Sequence, residues 1–583
     1  MPKSPLVNFV IENNNVEQAI PSNGISCLLA RTKKGPYNDP SVLVSSLAQF
    51  KSIFGGEIVP DGSTSNIEKA LQLGSKLRII RVPGSGYFKG VLLNTATDTS
   101  TTAPTSQQTP KSVLKVAQGS DSVELGFYTK IGDDLVDGAK TFDVTFYKKA
   151  NTLYYQITGT GKTVVVESNP VITYKAVSTT NDNVVDYMAF NNFLNNSEYL
   201  EPHVVSSTLE DKSLSSIINW MANVLDGSSD AITLTVASKT FDSLEATPVT
   251  CISQVGSSGT TPTADAWIES MDEILNYTDI YQVACSHINQ HLEGQADILE
   301  VHKAFKDMVE KVQEYTYYIE VPKYKTHYTE GTDIRDKASI IEWLTNCIST
   351  IGNSMWVAYF AGGIKYYGES GLVVNSDVLG TVLGIGDSSA SNHGPWRSFA
   401  GMNRGVIEDA HGSVSPNYGS PSRYEDLNDL ALNYANMIVV KDTRSLGKRT
   451  MLWHCFTSQV KQDSFRYLSV VRLVLFMKKR LRPILDSYLE EPNTFSTWNR
   501  IYLEAKPILD NLVTQEAITE YSWNGDQHAS SYKDLTVNNE ADVRQGKYKV
   551  VLNFKEVMPL QEISMVLSID KASGSVTTEI ENN

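Results

Sequence analysis

FRYLSVVRLVLFMKKRLRPILDSYLEEPNTFSTWNRIYLEAKPIL, residues 465–509, reads as two long helical runs parted at Glu490-Glu491-Pro492. Asn493 and Thr494, just after that proline, are capping residue types, whose short polar side chains accept from backbone N–H groups that no helical carbonyl reaches. Pro483 lies inside the first run, where its missing N–H and its ring predict a kink or an end. The same run carries Arg472, Lys478, Lys479, Arg480 and Arg482. At about 100° per residue, Arg472, Lys479 and Arg482 fall within an arc of roughly 80°. Such a face is ordinarily solvated.

Upstream, YEDLNDLALNYANM reads as a helix before the strand pair MIVVKDTR and TMLWHCFT. Further back, helical and strand-like runs alternate: DAWIESMDEIL, DIYQVACS, ADILEVHKAFKDMVEKVQ, YTYYIEV, ASIIEWLTNCIST and MWVAYFAG. Alternation of this kind predicts an α/β sheet with covering helices. The region from Ile25 starts the same way. ISCLLARTKKGP is a buried strand ending in a basic turn, Ser46 is placed to cap a helix with Leu47, Phe50 and Phe54 on one face, and Gly55-Gly56 stops it. A helix over about Asn66 to Leu73 leads into the strand KLRIIRV.

Residues 91–200 differ. TATDTSTTAPTSQQTP is a polar linker, and TFDVTFYKKANTLYYQI alternates as a hairpin turning at Lys149 to Thr152. We expect an inserted β domain there. At the ends, SPLVNFVIE reads as a strand on a polar tether, and KYKVVLNFKEV and EISMVLSIDK alternate at period 2. An isolated strand cannot satisfy its own backbone groups. These runs either pair within the chain or complete the sheet of a neighbour.

The 583 residues exceed one ordinary core, and 41% hydrophobic with 20% charged residues is globular usage. Fifty basic against 66 acidic residues give a net charge of -16, which opposes attraction to nucleic-acid phosphates. Cys27, Cys251, Cys285, Cys347 and Cys455 are scattered and unpaired in pattern, as in a reducing cytoplasm. Neither a signal-like segment nor a run of about 18 apolar residues is present in the sequence.

With these elements placed, several phrases resemble contractile tail sheath proteins. IPSNGISCLLARTKKGP, SSLAQFKSIFGG and LRIIRV stand in the order of that family's N-terminal phrases, a strand with RTxxGP, then SxxxFxxxFGG, then an xxxRV strand. HGPWRSFAG (393–401) is similar to its Gly-Pro-Trp phrase, and FRYLSVVRLVLFMKKRL and EPNTFSTWNRIYLEAKPIL to WRYxNVRRLxxFIxxSI and EPNDxxTWxxI. Phe465 stands where the family often has Trp, and LQLGSK where it often has an aromatic or Gly-rich phrase. The likeness covers residues 20–90 and 270–570 and leaves the inserted β region unmatched.

That resemblance implies a multidomain α/β (α+β) fold. Its parts are an N-terminal arm (1–24), a discontinuous α/β middle domain (25–90 and 201–390), an outer β insertion (91–200), a helical inner domain (391–555) and a C-terminal arm (556–583). It implies a structural subunit of a bacteriophage tail or related contractile injection system. Such subunits polymerise as stacked hexameric rings around an inner tail tube protein, and contraction drives the tube through a target envelope. The partners implied are further copies, the tube, and baseplate and tail terminator proteins, with no nucleic acid and no membrane insertion. The place implied is the virion, after assembly in the host cytoplasm. On this reading Arg472, Lys478, Lys479, Arg480 and Arg482 face the tube. Leu6, Val7, Phe9 and Val10, with Ile563, Met565, Leu567 and Ile569, form arms exchanged between subunits.

No catalytic residue, cofactor or metal is expected. His287 and His291 are spaced as ligands, but Ile288 stands where a zinc protease needs Glu, and His302 and His327 are remote; all four are expected at the surface. His454-Cys455 is read in a strand, which would turn the two side chains to opposite faces. PGSG (83–86) lacks a third glycine, and neither GxxxxGK[ST] nor GxSxG occurs. The competing readings are an α/β hydrolase-type enzyme, which needs a convergent nucleophile, base and orienter, and a non-contractile virion surface or adhesion protein using the β insertion as binder.

Overall fold

The computed structural model describes residues 25–559 except 34, 60–63, 95–105, 130–141, 150–151, 160–164, 177–182, 186–199, 212, 215, 218, 222–231, 238, 241–248, 255–258, 293, 323–333, 368–370, 444–446 and 462. Both expected arms lie outside the described residues, apart from the first four residues of the C-terminal one.

Eight strands build the principal sheet: β1 (Ile25–Ala30), β2 (Leu43–Val44), β3 (Lys76–Arg81), β4 (Gln282–Cys285), β5 (Thr316–Glu320), β6 (Val357–Ala361), β7 (Ala435–Thr443) and β8 (Gly447–Leu452), in the order 2-3-1-4-5-6-7-8. The pairs from β3 through β7 are parallel, and β2 and β8 add antiparallel edges. A parallel sheet needs cover on both faces, and its strands are correspondingly mostly apolar and buried. Every residue of β1, β5 and β6 is buried. Alternation assigns them to faces: Cys27, Tyr317 and Tyr359 point into one core, Leu28, Tyr318 and Phe360 into the other.

The first core is closed by α3 (Ala264–Met271), α4 (Gln295–Val312), α5 (Lys337–Ile351) and α7 (Tyr424–Leu432). The second is closed by α1 (Leu47–Phe54), α2 (Asn66–Gln72) and α6 (Leu379–His393). Helices α8 (Leu468–Ser487) and α9 (Phe495–Thr514) pack mainly on the first core. The caps fall on the expected residues. Ser46 accepts from Gln49 N, Gly55 adopts φ 69 and Thr494 accepts from Thr497 N, whereas Asn493, the other candidate beside Thr494, accepts at Oδ1 from the Trp498 indole Nε1. Pro483, expected to kink or end α8, does not end it: the helix continues to Ser487 with Leu481 and Ile484 buried on either side of the proline. Tertiary packing there outweighs the lost hydrogen bond.

The phrases RTKKGP, FGG and RV are one packed unit. Arg81 is buried and donates to Thr32 O and to Gly35 O (2.8 Å), while its guanidinium lies 4.0 Å from the centre of the Tyr37 ring. Gly35 has φ 103, and a β carbon there would sit 2.6 Å from the Phe54 ring.

Two expected boundaries move. Strands from Gly90–Leu93 to Val249–Ser253 form one eleven-stranded sheet, so the β insertion runs to about residue 253 and not to 200. The expected hairpin is present, with Lys149 opposite Thr152. Its two connections run side by side where Thr260 N donates to Ser85 O (2.9 Å). The division at 390/391 also cuts through a single body, because β7 and β8 complete the principal sheet. Near the C-terminus, Ile518–Asn524 and Val551–Glu556 pair antiparallel as a separate two-stranded sheet. The run KYKVVLNFKEV thus pairs within the chain, with a partner other than EISMVLSIDK, which lies outside the described residues.

Gly35→Ala forces both a strained φ and a ring clash. We expect a loss of about 1–3 kcal/mol, read as a lower urea midpoint with an unchanged denaturant slope.

Candidate functional site

In open α/β sheets, ligands sit at the carboxyl ends of the strands where the strand order reverses. Here that point lies between β1 and β4, since the chain leaves β1 toward β3 on one side and returns to β4 on the other. The place is filled by the protein's own polar side chains. His287, directly after β4 and at φ 52, places Nδ1 2.6 Å from Asp377 Oδ2 and Nε2 3.7 Å from Glu57 Oε1. Ser286 donates to Glu57, and Asn66 Nδ2 donates to Ser286 Oγ at 2.9 Å. Asn66 Oδ1 accepts from Gly380 N, and Glu320 Oε1 from Val378 N. Burial pushes the His287 pKa down, but the charges of Glu57, Asp377 and Glu320 reverse this and hold it at about 9. The imidazolium is therefore a buried cation that ties the loop after α1, the start of α2, the end of β4 and the start of α6.

Helix α6 escaped the sequence reading. Its seam against α2 is carried by glycines: a β carbon at Gly380 would lie 2.2 Å from Asn66 O, and one at Gly384 2.6 Å from Leu73 Cβ. Small residues four apart in LGTVLGIG were the available signal.

The basic run of α8 does not form one surface. Arg472 is buried and donates from Nη2 to Gly386 O at 2.8 Å. Lys479 is buried and donates to Thr278 O (2.6 Å) and Ile280 O (2.7 Å), beside the rings of Tyr281 and Tyr315. Burial lowers its pKa to about 8 against the pull of Glu314. Glu314, just beyond α4, gathers Lys478 at 2.8 Å, Arg482 at 2.6 Å and Lys479 at 3.9 Å. Lys478 and Arg480 are partly exposed and Arg482 is exposed, with Arg480 lying over Phe476. Periodicity placed three of these cations on one face, and that face turns partly inward.

HGPWRSFAG joins α6 to the helix pair. Gly394 at φ 89 ends α6, Trp396 meets Phe476 edge-on, Arg397 donates to Gln515 O (3.1 Å), and Phe399 lies under Arg472. Nearby Asp387 is buried, and burial raises its pKa to about 7.

The histidines expected at the surface are buried wherever they are described. His287 lies at the crevice, His291 is buried beside Trp267, and His302 Nδ1 meets Tyr317 Oη at 2.7 Å; His327 lies outside the described residues. Burial lowers the His302 pKa to about 3 and the His454 pKa to about 4, so both are neutral. His454-Cys455 follows β8 and is not part of a strand. Among the described residues, no group of three or more His, Cys, Asp and Glu is arranged to hold a metal, and no helix is long and apolar enough to cross a membrane.

No family model and no curated protein matches this chain. Among solved structures, the sheath tail protein of Listeria innocua is similar at 10% identity and a TM-score of 0.49, over 92% of this chain and 95% of that one. A sheath tail protein from Desulfitobacterium hafniense is similar at 10% identity and 0.44, over 95% of this chain and 100% of that one. The contracted helical sheath of the anti-feeding prophage is similar at 16% identity and 0.39, over 52% of this chain and 74% of that one. All three scores lie below 0.5.

His287 has a folded pKa above its ordinary value, so its stabilisation is complete below about pH 6.5 and is lost as pH rises toward about 9. In urea titrations at pH about 6, 7.5 and 9, the advantage of the parent chain over His287→Gln should shrink steadily; a constant difference would refute the buried imidazolium. Glu314→Gln removes the counter-charge of a buried lysine, and we expect a loss of about 3 kcal/mol in the same assay.

Proposed function

We propose that this chain is the repeating structural subunit of a contractile tail sheath, in a phage tail or related injection system, and that it performs no catalysis. The observation that carries the reading is the two-stranded sheet of Ile518–Asn524 and Val551–Glu556, whose outer edges have no strand partner among the described residues. An unpaired edge offers a row of N–H and C=O groups to an extended segment of another chain. Each copy carries two strand-like candidates, around Leu6, Val7, Phe9 and Val10 and around Ile563, Met565, Leu567 and Ile569.

Two further features support it. The phrases shared with sheath proteins fall in the places that join strands and helices into one body: Arg81 on the RTKKGP turn, Trp396 on Phe476, Asn493 on Trp498. The crevice where an enzyme of this topology holds its substrate is occupied by Glu57, His287 and Asp377.

In the assembly we propose, subunits stack as hexameric rings around a tail tube, between baseplate and terminator proteins, and contract by exchanging one set of subunit contacts for another. The arms keep neighbours connected while the bodies move, and the β insertion lies outward. The tube contact narrows to Lys478, Arg480 and Arg482, because Arg472 and Lys479 are engaged inside the body.

Electron microscopy of the full chain, alone and with a candidate tube protein, tests this. We expect hollow tubes or sheathed filaments. Deleting Met1–Asn15 should abolish ordered polymers while leaving circular dichroism and thermal unfolding unchanged. Arg482→Glu should weaken tube-templated assembly without unfolding the chain. Persistent monomers of the full chain under all salts and concentrations would overturn the sheath reading, and normal polymers from the deletion would overturn the role of the N-terminal arm.

A further inference from the structure

The strands Ile518–Asn524 and Val551–Glu556 are joined by residues 525–550, a connection far longer than the about two to five residues of an ordinary hairpin loop. A pair of strands alone is marginal in water, and a long loop adds closure entropy, so no tight turn sets the register of this pair. A buried carboxylate does so instead. Asp526, two residues beyond the first strand, is 8% exposed. Its Oδ1 accepts from Thr536 N at 2.7 Å and Thr536 Oγ1 at 2.6 Å, and its Oδ2 accepts from Val537 N at 3.0 Å, Asn538 N at 2.8 Å and Asn538 Nδ2 at 3.0 Å. Successive backbone N–H groups make a concavity suited to an anion, and here the chain fills it with its own side chain. Burial would raise the pKa of this carboxyl, but the hydrogen bonds from Thr536 and Asn538 hold it well below the ordinary carboxylate range.

Asn538 passes the constraint to the second strand. Its Oδ1 accepts from Lys549 N at 2.7 Å and its Nδ2 donates to Lys549 O at 3.0 Å, the two kinds of bond a neighbouring strand would make. Lys549 stands two residues before Val551, which faces Asn524 across the pair. The links from Asp526 to Asn538 and from Asn538 to Lys549 therefore clasp the strands just past their last facing residues. The same connection is fastened to the start of α9. Asn493 Nδ2 donates to Lys547 O at 3.1 Å and Val543 O at 3.2 Å, and the Tyr548 ring stacks on Trp498 with centres 4.8 Å apart.

We propose that Asp526 and Asn538 are positioning residues for subunit contact, holding the small sheet in one register on α9 so that its outer edge is a ready template for an extended segment of a second copy. The inference rests on the sheath reading and adds to it the residues on which the docking edge depends. Strand addition needs a fixed register, because a slip of one residue turns every side chain to the other face. A sheet ordered before contact also leaves less to be ordered when the copies meet.

Asp526→Asn keeps the size of the side chain, removes its charge and sets an amide NH2 against backbone donors. In the full chain, we expect amide exchange of 518–524 and 551–556 to quicken roughly tenfold or more, exchange of β5 and β6 to stay as in the parent, and the yield of polymers in electron micrographs and sedimentation to fall on a similar scale. Ser522 and Asn553 face each other across the strands, so Ser522→Cys with Asn553→Cys sets the register by a disulfide. In the Asp526→Asn background that disulfide should restore polymers. Unchanged exchange in Asp526→Asn would overturn the clasp. Faster exchange with normal polymers, or no recovery once the disulfide has formed, would overturn the positioning role and leave the sheath reading intact. A parent chain that stays monomeric is the separate failure of the sheath reading, and the positioning role falls with it. Should Asp526→Asn not fold, Asn538→Ala, which keeps the backbone bonds to Asp526, is put through the same measurements and judged by the same outcomes.

Discussion

A parallel sheet must be buried on both faces, and the arrangement of this chain follows from that constraint. The run β3-β1-β4-β5-β6-β7 has no amphipathic face to leave in water. Two helix layers are therefore needed, drawn from segments as distant in sequence as α2 and α6. Long-range closure of this kind brings polar groups inside, because loops at strand ends and the ends of helices carry backbone groups and charges with them. The interior polar clusters lie at these closures. Glu57, His287 and Asp377 close one end of the sheet, and Ser26, Gln282, Asp387 and Arg472 join strands β1 and β4 to α6 and α8.

These clusters also bear on function. A doubly wound sheet leaves a crevice at its reversal of strand order, and the identity of the groups there decides what it does. Here they satisfy one another. A buried imidazolium between carboxylates, with Asn66, Ser286 and Gln290 completing the hydrogen bonds, fastens strand and helix ends to one another. Among the described residues, the outer edges of the small C-terminal sheet have no strand partner.

Local signals were legible wherever the physics is local. Ser46, Gly55 and Thr494 act at helix ends through hydrogen bonds spanning three or four residues, and sequence placed all three. The alternation of strand and helix gave the α/β class for the same reason. What failed depended on distant partners. Pro483 was expected to kink or end α8, and it does not end it, since the helix runs on to Ser487 with buried neighbours on both sides of the proline. The histidines were expected outside, yet His287 and His302 are buried, His287 by partners as distant in sequence as Glu57 and Asp377. The basic face of α8 was legible as a face, but its direction was not, since Glu314 and the Thr278 and Ile280 carbonyls that claim its cations are at least 164 residues upstream. Helix α6 was missed because its glycines read as loop residues until α2 is packed against them.

The sequence by itself determined the alternation of elements, their caps, and the ordered phrases that resemble sheath proteins, because each is written in residues a few positions apart. Tertiary structure alone decided that β7 and β8 belong to the same sheet as β1, that the β insertion ends near residue 253, and that Arg472 and Lys479 are internal. Those outcomes depend on which distant surfaces bury one another, and burial is a property of the packed whole that no short stretch of residues encodes.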